Sequence, residues 1–152
     1  MGASFYMKIN IEFNDQAKSG IEESFILNVA KKTLERKDFE FLKEKNISIS
    51  LAAVAGEEIK KINSSYRKKD EETDILSFAE YEKKEDLERS GDNLYLGEVI
   101  LCYNYIKKYA NQDKKNLTKE LARIISHGIL HLLTLKHSEE MFSIQDEVGG
   151  SF

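Results

Sequence analysis

The sequence predicts an α+β domain, and three observations carry that reading. Four stretches alternate or run apolar in the manner of strands, amphipathic stretches of helical spacing are interleaved with them, and no linker, repeat or low-complexity tract divides the 152 residues. A chain of this length buries a hydrophobic core without disulfides. One domain over 1–152 is therefore expected.

Met7-Lys8-Ile9-Asn10-Ile11-Glu12-Phe13 alternates apolar and polar residues strictly, the pattern of a half-buried strand. From Ile21 to Glu35, apolar residues including Ile21, Phe25, Val29 and Leu34 recur at roughly helical spacing, so an amphipathic helix is expected. Alternation returns over 46–54 as a second strand that Gly56 ends, and Glu57 to Tyr66 follows as a short helix with Ile59 and Ile62 facing inward. The charged run 67–72 reads as a loop and Asp74–Phe78 as a short strand. Residues 81–93 are so charged, with Gly91-Asp92 near the end, that an exposed connection tolerant of insertions is expected. Leu94–Leu101 is a further apolar strand, Tyr103–Gln112 a helix and 113–116 a connection. The last helix is expected to start near Thr118 as N-cap, with Glu120 in its first turn, and to run to about Leu133.

Composition narrows the class. Apolar residues make up 41% and charged residues 33%, a globular balance, and no apolar run approaches the roughly 18 residues of a membrane span. Met1 to Tyr6 lacks the basic and apolar regions of a secretory signal, and Tyr6 stands where a myristoylation motif needs Ser or Thr, so a cytoplasmic location is expected. Cys102 is the single cysteine and reads as a small buried thiol. The net charge of −4 excludes bulk attraction to nucleic acid, so any such partner has to be held by a local basic patch or a larger assembly.

All three histidines, His127, His131 and His137, lie within eleven residues. At about 100° per residue, Leu117, Leu121, Ile125, Gly128, Ile129, Leu132 and Leu133 form the core-facing stripe of the last helix. His127 and His131 fall one above the other on the opposite side, beside Glu120, Arg123 and Ile124, where two imidazoles can reach one ion. His137 arrives beyond the helix end as a third ligand. Neutral imidazoles suit zinc, and three protein ligands leave a fourth position open, which distinguishes a catalytic from a structural site. Cys102 has no spacing relation to the histidines and is assigned to packing.

The segment His127-Gly128-Ile129-Leu130-His131-Leu132-Leu133-Thr134-Leu135-Lys136-His137 resembles the H-G-x-L-H-L-x-G-Y-D-H signature of the YbeY family, metal-dependent endoribonucleases of ribosomal RNA maturation. Residues 62–78 are similar to that family's LNxxYRxKDxxTDVLSFP, with Ala79 in place of the final proline. Tyr95-Leu96-Gly97-Glu98-Val99-Ile100 is similar to its LGDIxI strand, and Glu140-Met141-Phe142 with Gln145-Asp146-Glu147 to its EMFxxQEE. The resemblance spans about residues 47 to 148. It implies a small mixed β-sheet packed against several helices, with the metal site at the end of a central helix. It also implies a zinc ion on the three histidines, cleavage of single-stranded, ribosomal RNA, ribosomal proteins or an assembly GTPase as partners, and a catalytic Arg67 that grips the scissile phosphate. Guanidinium suits that role, since it clamps phosphate in two-pronged fashion.

Lys60, Lys61, Lys68 and Lys69 read as solvated charge that Asp70, Glu71 and Glu72 partly cancel. Thr73, Asp74 and Ser77 read as residues that order the neighbouring backbone. The chain departs from the signature at Thr134, Leu135 and Lys136, which replace a glycine, an aromatic residue and an aspartate. A β-branched residue disfavours positive φ, so the turn that delivers His137 is expected to differ from a glycine turn, and Lys136 has to point to solvent. Two other readings stay open. One is an assembly factor with a structural metal. The other is a metallopeptidase, which Gly128 opposes because HExxH enzymes carry their general base at that position.

Overall fold

The computed structural model describes residues 6–152. The reading of Met1 to Phe5 as neither secretory signal nor lipidation site lies outside the described residues. Strands β1 (Lys8–Asp15), β2 (Asn46–Ala53), β3 (Ile75–Ala79) and β4 (Asn93–Leu101) form one sheet in the order β1-β2-β4-β3. β1 runs parallel to β2 and β2 to β4, whereas β3 pairs antiparallel with β4 and forms an edge. Parallel neighbours need a crossover. Helix α1 (Glu23–Leu34), followed by a 3-10 turn over Lys37–Leu42, supplies the one between β1 and β2.

The remaining helices are α2 (Gly56–Arg67), α3 (Lys84–Glu88), α4 (Tyr103–Gln112), α5 (Leu117–Leu132) and α6 (Glu139–Gly150). The α+β class and the mixed sheet thus match the sequence reading. Among the described residues, no helix is long and apolar enough to cross a membrane.

α5 is the central helix, packed against α1, α4, α6, β3 and β4. Its inner side joins Ile11, Ile47, Ile49, Leu96 and Val99 of the sheet in the main core. A second cluster, Ala52, Val54, Ile59, Leu76, Ile100 and Cys102, lies under α2 on the other face. Cys102 is buried there, which pushes its thiol above the ordinary range and fits the packing role. Between α1 and α5, the hydroxyls of Thr33 and Ser126 hydrogen-bond at 2.8 Å, satisfying two buried polar groups.

Four expectations need correction. The N-cap of α5 is Asn116, whose side chain accepts from Lys119 N–H at 3.0 Å, because the helix starts one residue before Thr118. α5 is not the last helix. Met141, Ile144 and Val148 of α6 recur at helical spacing and are buried against it. The stretch 81–93 is not wholly exposed, since α3 sends Leu87 into the core despite its charged neighbours. Finally, Ile124 is buried rather than on an outer face, because α4 covers that side of α5.

Two glycines set the seating of β3. Between the pairs Ser48–Tyr95 and Ile49–Gly97, β4 carries an extra residue, Leu96, and Gly97 takes φ +134° at this bulge. A Cβ at Gly97 would strike the backbone carbonyl of Phe78 on β3. Gly128 lets α5 lie against the sheet, where a Cβ would meet Ile75, Val99 and Ser77, and its carbonyl accepts from Ser77 Oγ at 3.0 Å. Gly97→Ala is predicted to cost about 1–3 kcal/mol, read as a lower denaturant midpoint with an unchanged m-value.

Candidate metal centre

The last two turns of α5 present His127 and His131 on one side, both half-buried. The helix then ends in a paired turn: Thr134 N–H donates to His131 O at 3.0 Å and Leu135 N–H to Leu130 O at 3.2 Å. This turn requires a left-handed residue, and Thr134 takes φ +70°. The expected departure from a glycine-like turn does not occur. The two hydrogen bonds, with Leu135 packed back on the core, hold a β-branched residue in a conformation it disfavours. Lys136 is exposed, as its charge beside a cation requires.

His137 lies just before α6, whose N-cap Ser138 accepts from Met141 N–H at 3.2 Å. Its ring stacks at 29° on Phe142 of α6, with centroids 5.9 Å apart. α6 also contributes Gln145, which is buried and accepts from His127 Nδ1–H through Oε1 at 2.6 Å. His131 Nδ1–H donates to Leu135 O at 3.0 Å. Both bonds turn Nε2 of the helical imidazoles outward as unprotonated donors, the arrangement that metal-ligating histidines generally adopt.

The donor set fits a metal. Ligand atoms of His127, His131 and His137 all lie within 4.8 Å of one another. The His131 and His137 Nε2 atoms are 3.1 Å apart, near the roughly 3.3 Å that a tetrahedral ion with bonds of about 2.0–2.1 Å imposes. Burial lowers the pKa of His127, opposed by its bond to Gln145, and burial together with the neighbouring His127 lowers that of His131. Both shifts favour the neutral imidazole that ligation needs. The three side chains could hold one ion.

The three histidines open onto a cavity of about 700 Å³ that Tyr66, Arg67, Asp74, Ser77 and Phe78 also line. Arg67 is the last residue of α2, after which Lys68 turns the chain at φ +55°. Asn63 is buried, and its Nδ2 donates to Glu71 O at 3.0 Å, which draws the following loop back against α2. Arg67 is left exposed at the rim with no carboxylate partner among the described residues. Asp74 Oδ1 already accepts from Ile75 N–H at 2.7 Å and the Thr73 hydroxyl at 3.4 Å. Glu71 and Glu72 line a different depression with Lys108 and Tyr109.

The sequence model of the family described as "Endoribonuclease YbeY" matches residues 10–150 of this chain. The chain belongs to the YbeY family. A YbeY relative from Oceanobacillus iheyensis is 34% identical, the match covering 95% of this chain and 97% of the relative. Another from Persephonella marina is 34% identical over 92% of this chain and 88% of its own length. The solution structure of TM1509 from Thermotoga maritima superposes with a TM-score of 0.58 at 25% identity, over 94% of this chain and 86% of that one.

The structure brings together every site residue singled out in the sequence. Gln145 and Phe142 were missed as supports for the histidines, although both lie in the segment that is similar to the YbeY EMFxxQEE pattern. The helical spacing of Met141, Ile144 and Val148 would have put them on one helix.

Two outcomes test this geometry. Gln145→Leu keeps the buried volume but removes the acceptor for His127, so affinity for a divalent metal measured by chelator competition should fall about 10–100-fold while the fold persists. Thr134→Gly relieves the left-handed strain and should raise stability by up to about 1 kcal/mol in thermal or denaturant unfolding.

Proposed function

We propose that this chain, as one YbeY-like domain over 1–152, is a metal-dependent endoribonuclease of single-stranded ribosomal RNA. In this reading zinc is held by His127, His131 and His137, and Arg67 binds the scissile phosphate. The observation that carries it is a single cavity joining three convergent imidazoles to an arginine free of carboxylate partners among the described residues. Glu71 and Glu72 line another depression, so the carboxylate that shares this cavity with Arg67 is Asp74, which is tied to its own loop by bonds from Ile75 N–H and the Thr73 hydroxyl.

A bound metal would supply Lewis acidity to a phosphoryl oxygen and lower the pKa of a water molecule toward neutrality. The chain's residues would do the rest. Gln145 and the Leu135 carbonyl keep two imidazoles in the ligating tautomer, and Arg67 donates to the phosphate oxygens as negative charge grows on them. Asp74 and Ser77 act as supports: one orders the start of β3, the other ties β3 to the Gly128 carbonyl. The cup's opening onto a large cavity supports a catalytic rather than a purely structural metal. No carboxylate stands beside His127 where an HExxH peptidase carries its base, since position 128 is a glycine packed on the sheet. Within this reading, ribosomal proteins or an assembly GTPase would present the RNA.

The test pairs elemental analysis of the purified protein with cleavage of single-stranded RNA. Zinc at one equivalent and activity abolished by chelator are expected, and Arg67→Ala should lower kcat roughly 100-fold or more with metal content unchanged. A 2′,3′-cyclic phosphate product would assign attack to the ribose 2′-hydroxyl, and a 5′-phosphate paired with a free 3′-hydroxyl would assign it to water. Undiminished cleavage after metal removal would overturn the proposal.

A further inference from the structure

Five large hydrophobic side chains are strongly exposed among the described residues, and four of them have an evident setting. Tyr6 begins the described chain, Tyr95 donates its hydroxyl to Ser50 across the sheet, Tyr109 packs on Tyr105, and Phe142 stacks on His137. Tyr66 is different. It is 71% exposed, lies in the last turn of α2 directly before Arg67, and lines the cavity of the three histidines. Its ring meets that of Phe78 on β3 with centroids 5.0 Å apart and planes at 69°. Phe78 is itself half-buried against the cluster under α2, so the pair has a rigid base and an open top.

Leaving a tyrosine ring bare in water forgoes the burial that ordinarily retains such a residue inside. A bare ring beside a cation is what a single nucleotide calls for: the guanidinium takes the phosphate and the ring takes the flat face of the base. We infer that Tyr66, braced by Phe78, stacks an unpaired nucleobase adjacent to the phosphate that Arg67 holds, forming a base subsite of the cavity. This rests on the nuclease reading and deepens it by giving a physical source for single-strand selection. A base in a duplex has both faces covered by its neighbours and is unavailable to the ring. Every base has a π-face, so the subsite imposes little sequence preference.

Binding is measured by anisotropy on two oligoribonucleotides of about ten nucleotides, 2′-O-methylated so that a 2′-hydroxyl attack cannot consume them. One carries adenines throughout and the other is an abasic chain of the same phosphates. The native protein should prefer the adenine strand by about tenfold or more. Tyr66→Ala should lose that preference by weakening the adenine strand alone, and Tyr66→Phe should recover most of the loss. A misfolded variant is recognised by loss of the abasic strand as well, and Tyr66→Leu, which keeps an apolar contact with Phe78 but has no π-face, then carries the test: it should lose the preference for adenine while binding the abasic strand as the native protein does. Equal binding of the two strands by the native protein, or a preference that survives Tyr66→Ala, would overturn the base subsite while cleavage by the native protein leaves the nuclease reading standing. Failure of the native protein both to bind and to cleave single-stranded RNA would overturn both.

Discussion

Imidazole orientation is the constraint on which the site depends. A histidine can ligate a metal only through an unprotonated nitrogen aimed at the ion, and the ring's other nitrogen decides which one that is. Here the decision is made from two directions: by Gln145 on α6 for His127, and by the Leu135 carbonyl in the turn after α5 for His131. Both supports lie C-terminal to the histidines they orient. The candidate metal cup therefore depends on the docking of α6 on α5 as much as on the spacing within α5, and the third histidine sits on the connection between the two helices.

That connection carries a visible cost. Thr134 holds a left-handed φ that a β-branched side chain disfavours by about 1–2 kcal/mol. The turn is kept because its two hydrogen bonds satisfy orphan carbonyls at the end of α5 and because the Leu135 carbonyl it exposes is the acceptor for His131. Relaxing the turn would release the strain and misdirect an imidazole together. The opposite wall obeys a similar rule. Gly97 and Gly128 allow β3 to sit close to both β4 and α5, which aligns the strand carrying Ser77 and Phe78 along the cavity.

Much of this was legible in the sequence. Strict alternation identified β1 and β2, and apolar spacing identified α1, α2 and α5 to within about three residues, because those elements bury one face each. The three histidines and Arg67 were legible through local spacing and motif resemblance, and the cavity holds all four. Less legible were features set by tertiary contact. The charge of 81–93 masked Leu87, a single buried residue in a five-residue helix with too short a period to read. Asn116 capped α5 where Thr118 was expected, since two eligible residues stood two apart. The turn at Thr134 went against local propensity because packing of Leu135 outweighed it.

The central claim is that three nitrogens, turned outward by Gln145 and the Leu135 carbonyl, form one metal cup facing Arg67. Anomalous diffraction at the zinc edge from crystals of the zinc-loaded protein addresses it most directly. It should show one major site with the Nε2 atoms of His127, His131 and His137 at about 2.0–2.1 Å and with Nδ1 of the two helical imidazoles still donating to their protein partners. A site elsewhere in the chain, or coordination through Nδ1 with the Gln145 and Leu135 bonds broken, would contradict it.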